Sequence, residues 1–302
     1  MVIPEEYDEC RLDKCVSELM GEKLSRSAIQ KMIKSGEVQV NDKTVEKASF
    51  VVHMEDVITF SIPDPIQTDI LAQDIPISVL YEDEDLLVVD KPKGMVVHPS
   101  PGHLQGTLVN ALLFYCKDGL SGINGVLRPG IVHRIDMDTS GSLVVCKNDN
   151  AHQQLAARFQ THSIQRKYYA ICCGNIKDDY GTIDKPIGRH PVDRKKMAVV
   201  DITKGKRAIT HFHVLERFGN YTFVECSLET GRTHQIRVHM ASIGFPLLGD
   251  LVYGNKDYKG MGQILHAGLL GFVHPRTGEY LEVVSPLPEY FQNILLQLRN
   301  KK

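Results

Sequence analysis

The densest set of reactive side chains in the chain is Gly130-Ile131-Val132-His133-Arg134-Ile135-Asp136-Met137-Asp138-Thr139-Ser140-Gly141. A strand end running into a polar, glycine-containing turn presents a side chain from firm support. By residue type alone Asp136 can be a nucleophile, a base, a metal ligand or an Asx-type turn former. Three chemistries compete. A hydrolase would draw on Ser140, His133 and Asp136, but the local order is not G-x-S-x-G and no strand-to-helix turn exposes the serine. Metal catalysis would draw on the 13 histidines. Two pairs, His98 with His103 and His234 with His239, are each five residues apart. That spacing puts two side chains on opposite faces of a strand, or roughly 140° apart around a helix, so neither pair converges on one ion outside a loop. The third chemistry is a lone carboxylate acting covalently or electrostatically at a sugar carbon. It needs a basic partner and an aromatic ring to stack on an extruded base, and the chain supplies candidates for each.

The elements that must position these residues follow from periodicity. Leu86-Leu87-Val88-Val89 is expected as a buried strand, with Lys91-Pro92-Lys93-Gly94 turning into Met95-Val96-Val97. Thr107 to Cys116 is apolar enough for a buried helix. Ile131–Asp136 and Leu143–Lys147 are expected as strands around the turn at Met137–Gly141. A helix is expected over Ala151–Phe159, with Asp149 or Asn150 near its cap, and a strand over Tyr168–Cys173. Thr210–Leu215 and Tyr221–Glu225 alternate as strands joined at Gly219-Asn220. Thr233 is positioned to cap a helix with Ile236, Met240 and Ile243 on one side, ending at Gly244. A last strand, Tyr280–Val284, precedes an amphipathic helix carrying Phe291, Ile294, Leu295 and Leu298. Strands outnumber helices and short turns join many of them, which predicts an α+β fold with a large, mostly antiparallel sheet flanked by helices.

Ahead of this domain, Ala28, Ile29, Met32 and Ile33 have helical spacing, with Ser25 as N-cap and Gly36 as the stop. Arg26, Gln30 and Lys34 recur every four residues and so share one polar face. Glu37–Asp42 and Asp56–Phe60 alternate as short strands. Between the two regions, Ser61–Ile75 holds Pro63 and Pro65 and no basic residue, as a linker would. A length of 302 residues is sufficient for two such domains.

Hydrophobic residues make up 42% of the chain and charged residues 24%, the balance of an ordinary globular protein. No apolar run reaches the roughly 18–20 residues that span a bilayer. The N-terminus MVIPEEYDEC lacks the basic start and apolar core of a signal peptide, so a cytoplasmic protein is expected. Seven scattered cysteines read as reduced thiols, and no C-x-x-C pair offers a structural zinc site. The net charge of −2 conceals a strong asymmetry: Glu55–Asp90 has ten acidic residues and no Lys or Arg, whereas Lys185–Arg207 has eight Lys or Arg. Polyanion binding follows local patches, so the net charge does not exclude a nucleic acid.

LSRSAIQKMIKSGEVQVN resembles the S4 RNA-binding module over about 50 residues, which implies RNA contacts from Arg26, Gln30 and Lys34. GIVHRIDMDTSG is similar to the H-R-L-D-x-x-T-S-G motif of the RluA/RluD family of pseudouridine synthases, with Ile135 for leucine, a volume-conserving exchange. Arg166-Lys167-Tyr168-Tyr169-Ala170 resembles that family's K-x-Y-x-A segment, with arginine first. Leu228–His239 resembles L-x-T-G-R-T-H-Q-I-R-V-H, and Pro246-Leu247-Leu248-Gly249-Asp250 follows. A sister family that also carries S4 modules has Gly-Arg-Leu-Asp where this chain has His133-Arg134-Ile135-Asp136. One departure is Ser142, where a leucine often follows the glycine; looser packing behind the turn is expected.

The resemblance implies an RNA pseudouridine synthase with an S4-like domain over residues 10–62, a linker over 63–75 and a catalytic domain over 76–302. It implies that Asp136 acts at the ribose C1′ and that Arg237 pairs with Asp136. Tyr168 would stack on the flipped uracil, and Arg134 would fill the gap left by the extruded base. Base extrusion costs a few kcal/mol, and further backbone contacts from Arg194, Lys195 and Lys196 are expected to offset it. Structured RNA, foremost large-subunit ribosomal RNA and otherwise transfer RNA, is the implied partner of a monomer that needs neither metal nor cofactor. The rival expectation is a non-catalytic RNA-binding or ribosome-assembly factor that keeps the fold.

Overall fold

The structure, a computed structural model, describes residues 1–21, 26–60, 70–100, 102–117, 119–123, 128–193, 196–254 and 260–301, apart from the side chains of residues 27 and 28. It divides into two compact units, Met1–Gln67 and Thr68–Lys302.

The first unit contains β1 (Cys10–Arg11), α1 (Leu12–Met20), α2 (Arg26–Lys34), β2 (Val38–Val40), β3 (Lys43–Thr44), β4 (Val51–Val52) and β5 (Ile58–Phe60). Strand β1 pairs with β4, and β3-β2-β5 form a small antiparallel sheet. Leu12, Cys15 and Val16 of α1 pack with Ile29 and Ile33 of α2 and with Ile58, the apolar stripe that the helical spacing anticipates. The expected cap at Ser25 lies outside the described residues. Asn41 and Asp42 have φ of 49° and 62°, so the strand expected over Glu37–Asp42 turns after Val40.

Asp13 is fully buried, yet it lies in the first turn of α1. It accepts hydrogen bonds from the Arg11 guanidinium, from Arg26 Nε and Nη2 at 3.1 and 3.0 Å, and from Gln30 Nε2 at 2.6 Å. Arg26 and Gln30 therefore bind α2 to α1, while Lys34 stays exposed. Burial alone would raise the Asp13 carboxyl; the hydrogen bonds of Arg11, Gln30 and Arg26 outweigh it and hold the group well below the usual carboxylate range. Because the folded value is depressed, this stabilisation is complete above about pH 3.9 and is lost as pH falls through the folded value. Asp13→Ala should lower amide-exchange protection across residues 10–60 of the full chain by about 1–3 kcal/mol at neutral pH. Unchanged protection would show that the two helices do not depend on this carboxylate.

The second unit contains β6 (Ser78–Glu82), β7 (Leu86–Lys91), α3 (Leu108–Cys116), β8 (Ser140–Cys146), α4 (Asp149–Gln160), β9 (Gln165–Cys173), β10 (Tyr180–Asp184), β11 (Ile187–Arg189), β12 (Met197–Val199), β13 (Ile209–Arg217), β14 (Tyr221–Leu228), α5 (Gln235–Ser242), β15 (Leu265–Val273), β16 (Tyr280–Val284) and α6 (Glu289–Asn300). Nine of these strands form one sheet in the order β10-β13-β14-β9-β15-β8-β7-β6, with β16 also on β15. All its pairings are antiparallel except β15 with β8, so the fold is α+β with a mixed, mostly antiparallel sheet. Period-2 alternation divides its side chains between two cores. Leu87, Val89, Ala170 and Cys172 face α3 and α5, whereas Ile171 and Cys173 face α6, and Leu86 and Val88 pack with α4.

Residues 70–75 of the stretch expected as a linker lie against this unit: Ile70 packs on its core, and the Leu71 carbonyl accepts from Asn110 Nδ2 at 2.8 Å. Thr107 caps α3 through a capping box with Asn110. Asn148, rather than Asp149 or Asn150, caps α4 through Ala151 N–H. Thr233 does not cap α5; that position falls to His234, held in the left-handed region at φ 57°.

Candidate active site

The expected strand Ile131–Asp136 does not form. Strand β15 covers β8 only at Ser140 and Gly141; on the rest of that edge the preceding segment makes a single bridge, Ile131 to Val145, and the Val144 N–H is taken by the His133 side chain instead of a strand carbonyl. From there residues 132–136 run in irregular conformation to a turn closed by Thr139 N–H to the Asp136 carbonyl at 3.1 Å. Gly141, at φ 113°, lets β8 approach β15 so closely that a Cβ would strike the Ala267 carbonyl. Ser142 does not loosen the packing here, because it is buried and donates to Ala267 O at 3.0 Å.

Lys91 holds the turn from beneath. It is fully buried, and its ammonium donates to the carbonyls of Pro92 and Met95 at 2.8 Å and of Met137 at 3.0 Å. Burial pushes the Lys91 ammonium down to about 7, against the pull of Asp138 and Asp136. The folded value lies below that of an unfolded lysine, so between the two the unfolded chain binds more protons and stability rises with pH. From pH 7.5 to 9.5 the wild type should gain roughly 1–3 kcal/mol relative to Lys91→Met in denaturant unfolding. A pH-independent difference would mean that the three carbonyls compensate the charge completely.

The turn presents Asp136 to a cavity of about 540 Å³ whose wall also includes Arg134, Tyr168 and Arg237. These four residues, drawn from a loop, β9 and α5, come together around one cavity, as the family resemblance implies. Arg237 Nη1 donates to Asp136 Oδ2 at 2.9 Å. Its Nε and Nη2 donate to Asp250 Oδ2 and Oδ1 at 2.7 and 3.0 Å, a bidentate pair. Burial would lower the Arg237 guanidinium, but the hydrogen bonds and charges of Asp250 and Asp136 raise it instead. Burial likewise opposes ionisation of Asp250; Arg237 and the N–H groups of Val252 and Tyr253 outweigh it and leave that carboxyl below its ordinary value. Asp250, fully buried, has no role assigned from sequence, because nothing in its local pattern reveals a partner 13 residues away.

His234 is a second residue missed in sequence. Its Nε2 stands 3.8 Å from Asp136 Oδ1, and its Nδ1 lies 2.8 Å from the Tyr253 hydroxyl, which accepts from Met197 N–H. Burial lowers its pKa against the attraction of Asp136, which keeps a neutral imidazole beside the carboxylate. Tyr168 is buried on β9, and burial raises its phenol; Tyr169 points to the opposite face and packs with Phe223. Arg134 is exposed at the cavity mouth. Arg194 and Lys195 lie outside the described residues, and Lys196 pairs loosely with Asp193 at 4.0 Å.

The hydrolase triad and the His234–His239 pair lack their geometry. Ser140 is buried with its hydroxyl on His266 Nδ1 and Tyr290, while His133 Nε2 accepts from Val144 N–H, so Ser140, His133 and Asp136 form no relay. Burial pushes His133 down to about 3. Both ring nitrogens of His239 are engaged, by Thr210 and the Lys185 carbonyl, and cannot join His234 at an ion. Among the described residues no helix is long and apolar enough to cross a membrane.

A carboxylate beside a cavity lined by four arginines suits a polyanionic substrate. The RNA pseudouridylate synthase family model matches residues 85–242, and the S4 domain model matches residues 10–58. An uncharacterised RNA pseudouridine synthase of Bacillus subtilis, YlyB, is 54% identical over 98% of this chain and 96% of its own. Ribosomal large subunit pseudouridine synthase D of Zymomonas mobilis is 46% identical over 99% of this chain and 96% of its own. The structure of human RNA pseudouridylate synthase domain containing 1 superimposes with a TM-score of 0.58 at 25% identity, covering 76% of this chain and 96% of that one. The chain belongs to the RNA pseudouridylate synthase family. It is an RNA pseudouridine synthase, an isomerase, with an N-terminal S4 domain.

Proposed function

We propose that the enzyme isomerises specific uridines of large-subunit ribosomal RNA through Asp136. The observation that carries this reading is the Asp136 carboxylate, fixed by Arg237 at 2.9 Å on a cavity wall that also holds Tyr168. Two relatives, in Zymomonas mobilis and Pseudomonas aeruginosa, bear the name ribosomal large subunit pseudouridine synthase D, which supports ribosomal over transfer RNA as the substrate. Asp136 attacks or electrostatically stabilises the ribose C1′ while the C1′–N1 bond breaks. The freed uracil turns on the Tyr168 ring and rejoins C1′ through C5, releasing any bond from C1′ to the Asp136 carboxylate; N1 takes up a proton, and the C5 proton leaves to solvent. Arg134, at the cavity mouth, occupies the space vacated in the RNA. The S4 domain, residues 10–62, and the basic stretch around Arg194, Lys195 and Lys196 supply contacts to the RNA backbone, and the enzyme acts as a cytoplasmic monomer. The reaction is redox-neutral and intramolecular, and no step calls for a metal or nucleotide cofactor.

The test is incubation with large-subunit ribosomal RNA carrying tritium at uridine C5, followed by mapping of the modified position. Tritium release that disappears in Asp136→Ala supports the reading. Tight binding without release would favour a non-catalytic assembly factor, and release from transfer RNA alone would move the substrate assignment.

A further inference from the structure

The cavity wall holds one buried cation that has no countercharge among the described residues. Four arginines line it: Arg134, Arg166, Arg232 and Arg237. Arg237 is neutralised by two carboxylates, Arg134 is exposed to water, and Arg232 is half-buried with Nε donating to the Arg207 carbonyl at 3.0 Å. Arg166 differs from all three. It is only 7% exposed, and no ion pair neutralises it among the described residues. Nη2 donates to the Glu229 carbonyl at 3.2 Å, Nε has no hydrogen-bond partner, and Cζ lies 5.7 Å from the centre of the Phe159 ring. Its charged neighbour in the wall is Arg232, which repels it.

A desolvated guanidinium with an unused donor and no carboxylate is costly to the free protein. It is retained at low cost if the ligand brings the anion. RNA brings one phosphate per nucleotide. Arg166 and Tyr168 are two residues apart on β9 and both face the cavity, so they are separated by about 6.6–6.8 Å along the strand. A uracil ring on Tyr168 would put the ribose phosphate of the same nucleotide within reach of the Arg166 fork, whose planar donors match phosphate oxygens. Gly231 makes room for this fork: a Cβ there would come within 2.5 Å of Nη1.

We infer that Arg166 is an anion anchor that binds a phosphodiester flanking the flipped uridine and completes its own coordination only in the RNA complex. The inference rests on the reading under Proposed function that Tyr168 receives the base. Its test is a binding cycle with the full-length protein and a synthetic RNA containing the mapped uridine, carrying a single uncharged methylphosphonate on its 5′ or 3′ side. Arg166→Gln should weaken binding of the unmodified RNA about 10- to 100-fold and lower the slope of log affinity against log salt by about one. One of the two methylphosphonates should weaken the wild type by a similar factor and have no further effect on Arg166→Gln. Gly231→Ala keeps the charge and displaces the fork, and it should reproduce the affinity loss if Arg166→Gln folds poorly. Additive losses at both positions, or an unchanged salt slope, would overturn the anchor and leave Arg166 a packing residue. Because the cycle is read in affinity, absence of tritium release would count against the isomerase reading alone.

Discussion

Asp136→Asn should fold as the wild type does and lose isomerase activity by roughly 10³-fold or more, measured as tritium release at saturating RNA. The exchange preserves shape and leaves an amide oxygen to accept from Arg237, whose Nη1 reaches Oδ2 at 2.9 Å. It removes the negative charge, and with it both covalent attack and electrostatic stabilisation of a cationic sugar carbon. Stability should change little, by less than about 1 kcal/mol, because Asp136 is partly exposed and Arg237 keeps its bidentate pair with the fully buried Asp250. RNA affinity should also persist, since the backbone contacts are elsewhere. A variant that still releases tritium at a tenth of the wild-type rate would remove Asp136 from the chemistry. The assay would then have to be repeated on His234, whose neutral ring stands 3.8 Å away.

The motifs made the first contacts of this site legible and hid what supports them. Asp136, Tyr168 and Arg237 lie in three separate segments, each resembling a different motif of the family, and it is that resemblance that implies their roles. His234 and Asp250 lie inside segments that resemble the family's, yet no pattern there reveals their partners, and Lys91 lies outside those segments. Lys91 reads as part of a Lys-Pro-Lys turn, although its ammonium serves a carbonyl 46 residues away. The strand expected over Ile131–Asp136 failed for a related reason: its apolar residues suit a strand, but the β8 donor it would meet, Val144 N–H, is taken by the His133 side chain, a contact no local pattern reveals. The same limit applies in the S4 domain. The i, i+4 spacing placed Arg26 and Gln30 on one polar face correctly, yet it could not reveal the buried Asp13 opposite them, on which both side chains converge.

Arg237 should prove to be a structural as well as a functional residue, and the two roles can be separated. Arg237→Met strands Asp250 in a dry interior, where a lone carboxylate has only two backbone N–H groups left to stabilise it. Breaking a buried pair in this way costs about 3–5 kcal/mol. The wild-type Asp250 carboxyl sits below its ordinary value, so its stabilisation is complete above about pH 3.9 and lost on acidification. In Arg237→Met the sign reverses: the unpaired group is raised above its unfolded value, so the variant is most nearly normal in acid and falls further behind as pH rises. The deficit relative to wild type should therefore be larger at pH 7 than at pH 5 in denaturant unfolding. Adding Asp250→Asn removes the stranded charge and should recover most of the lost stability. It cannot recover activity, because Asp136 would still lack the guanidinium that orients it. Tritium release should stay at least roughly 10²-fold below wild type in the double variant. Recovery of both properties together would mean that Arg237 serves only to neutralise Asp250, and that the carboxylate of Asp136 finds its position without it.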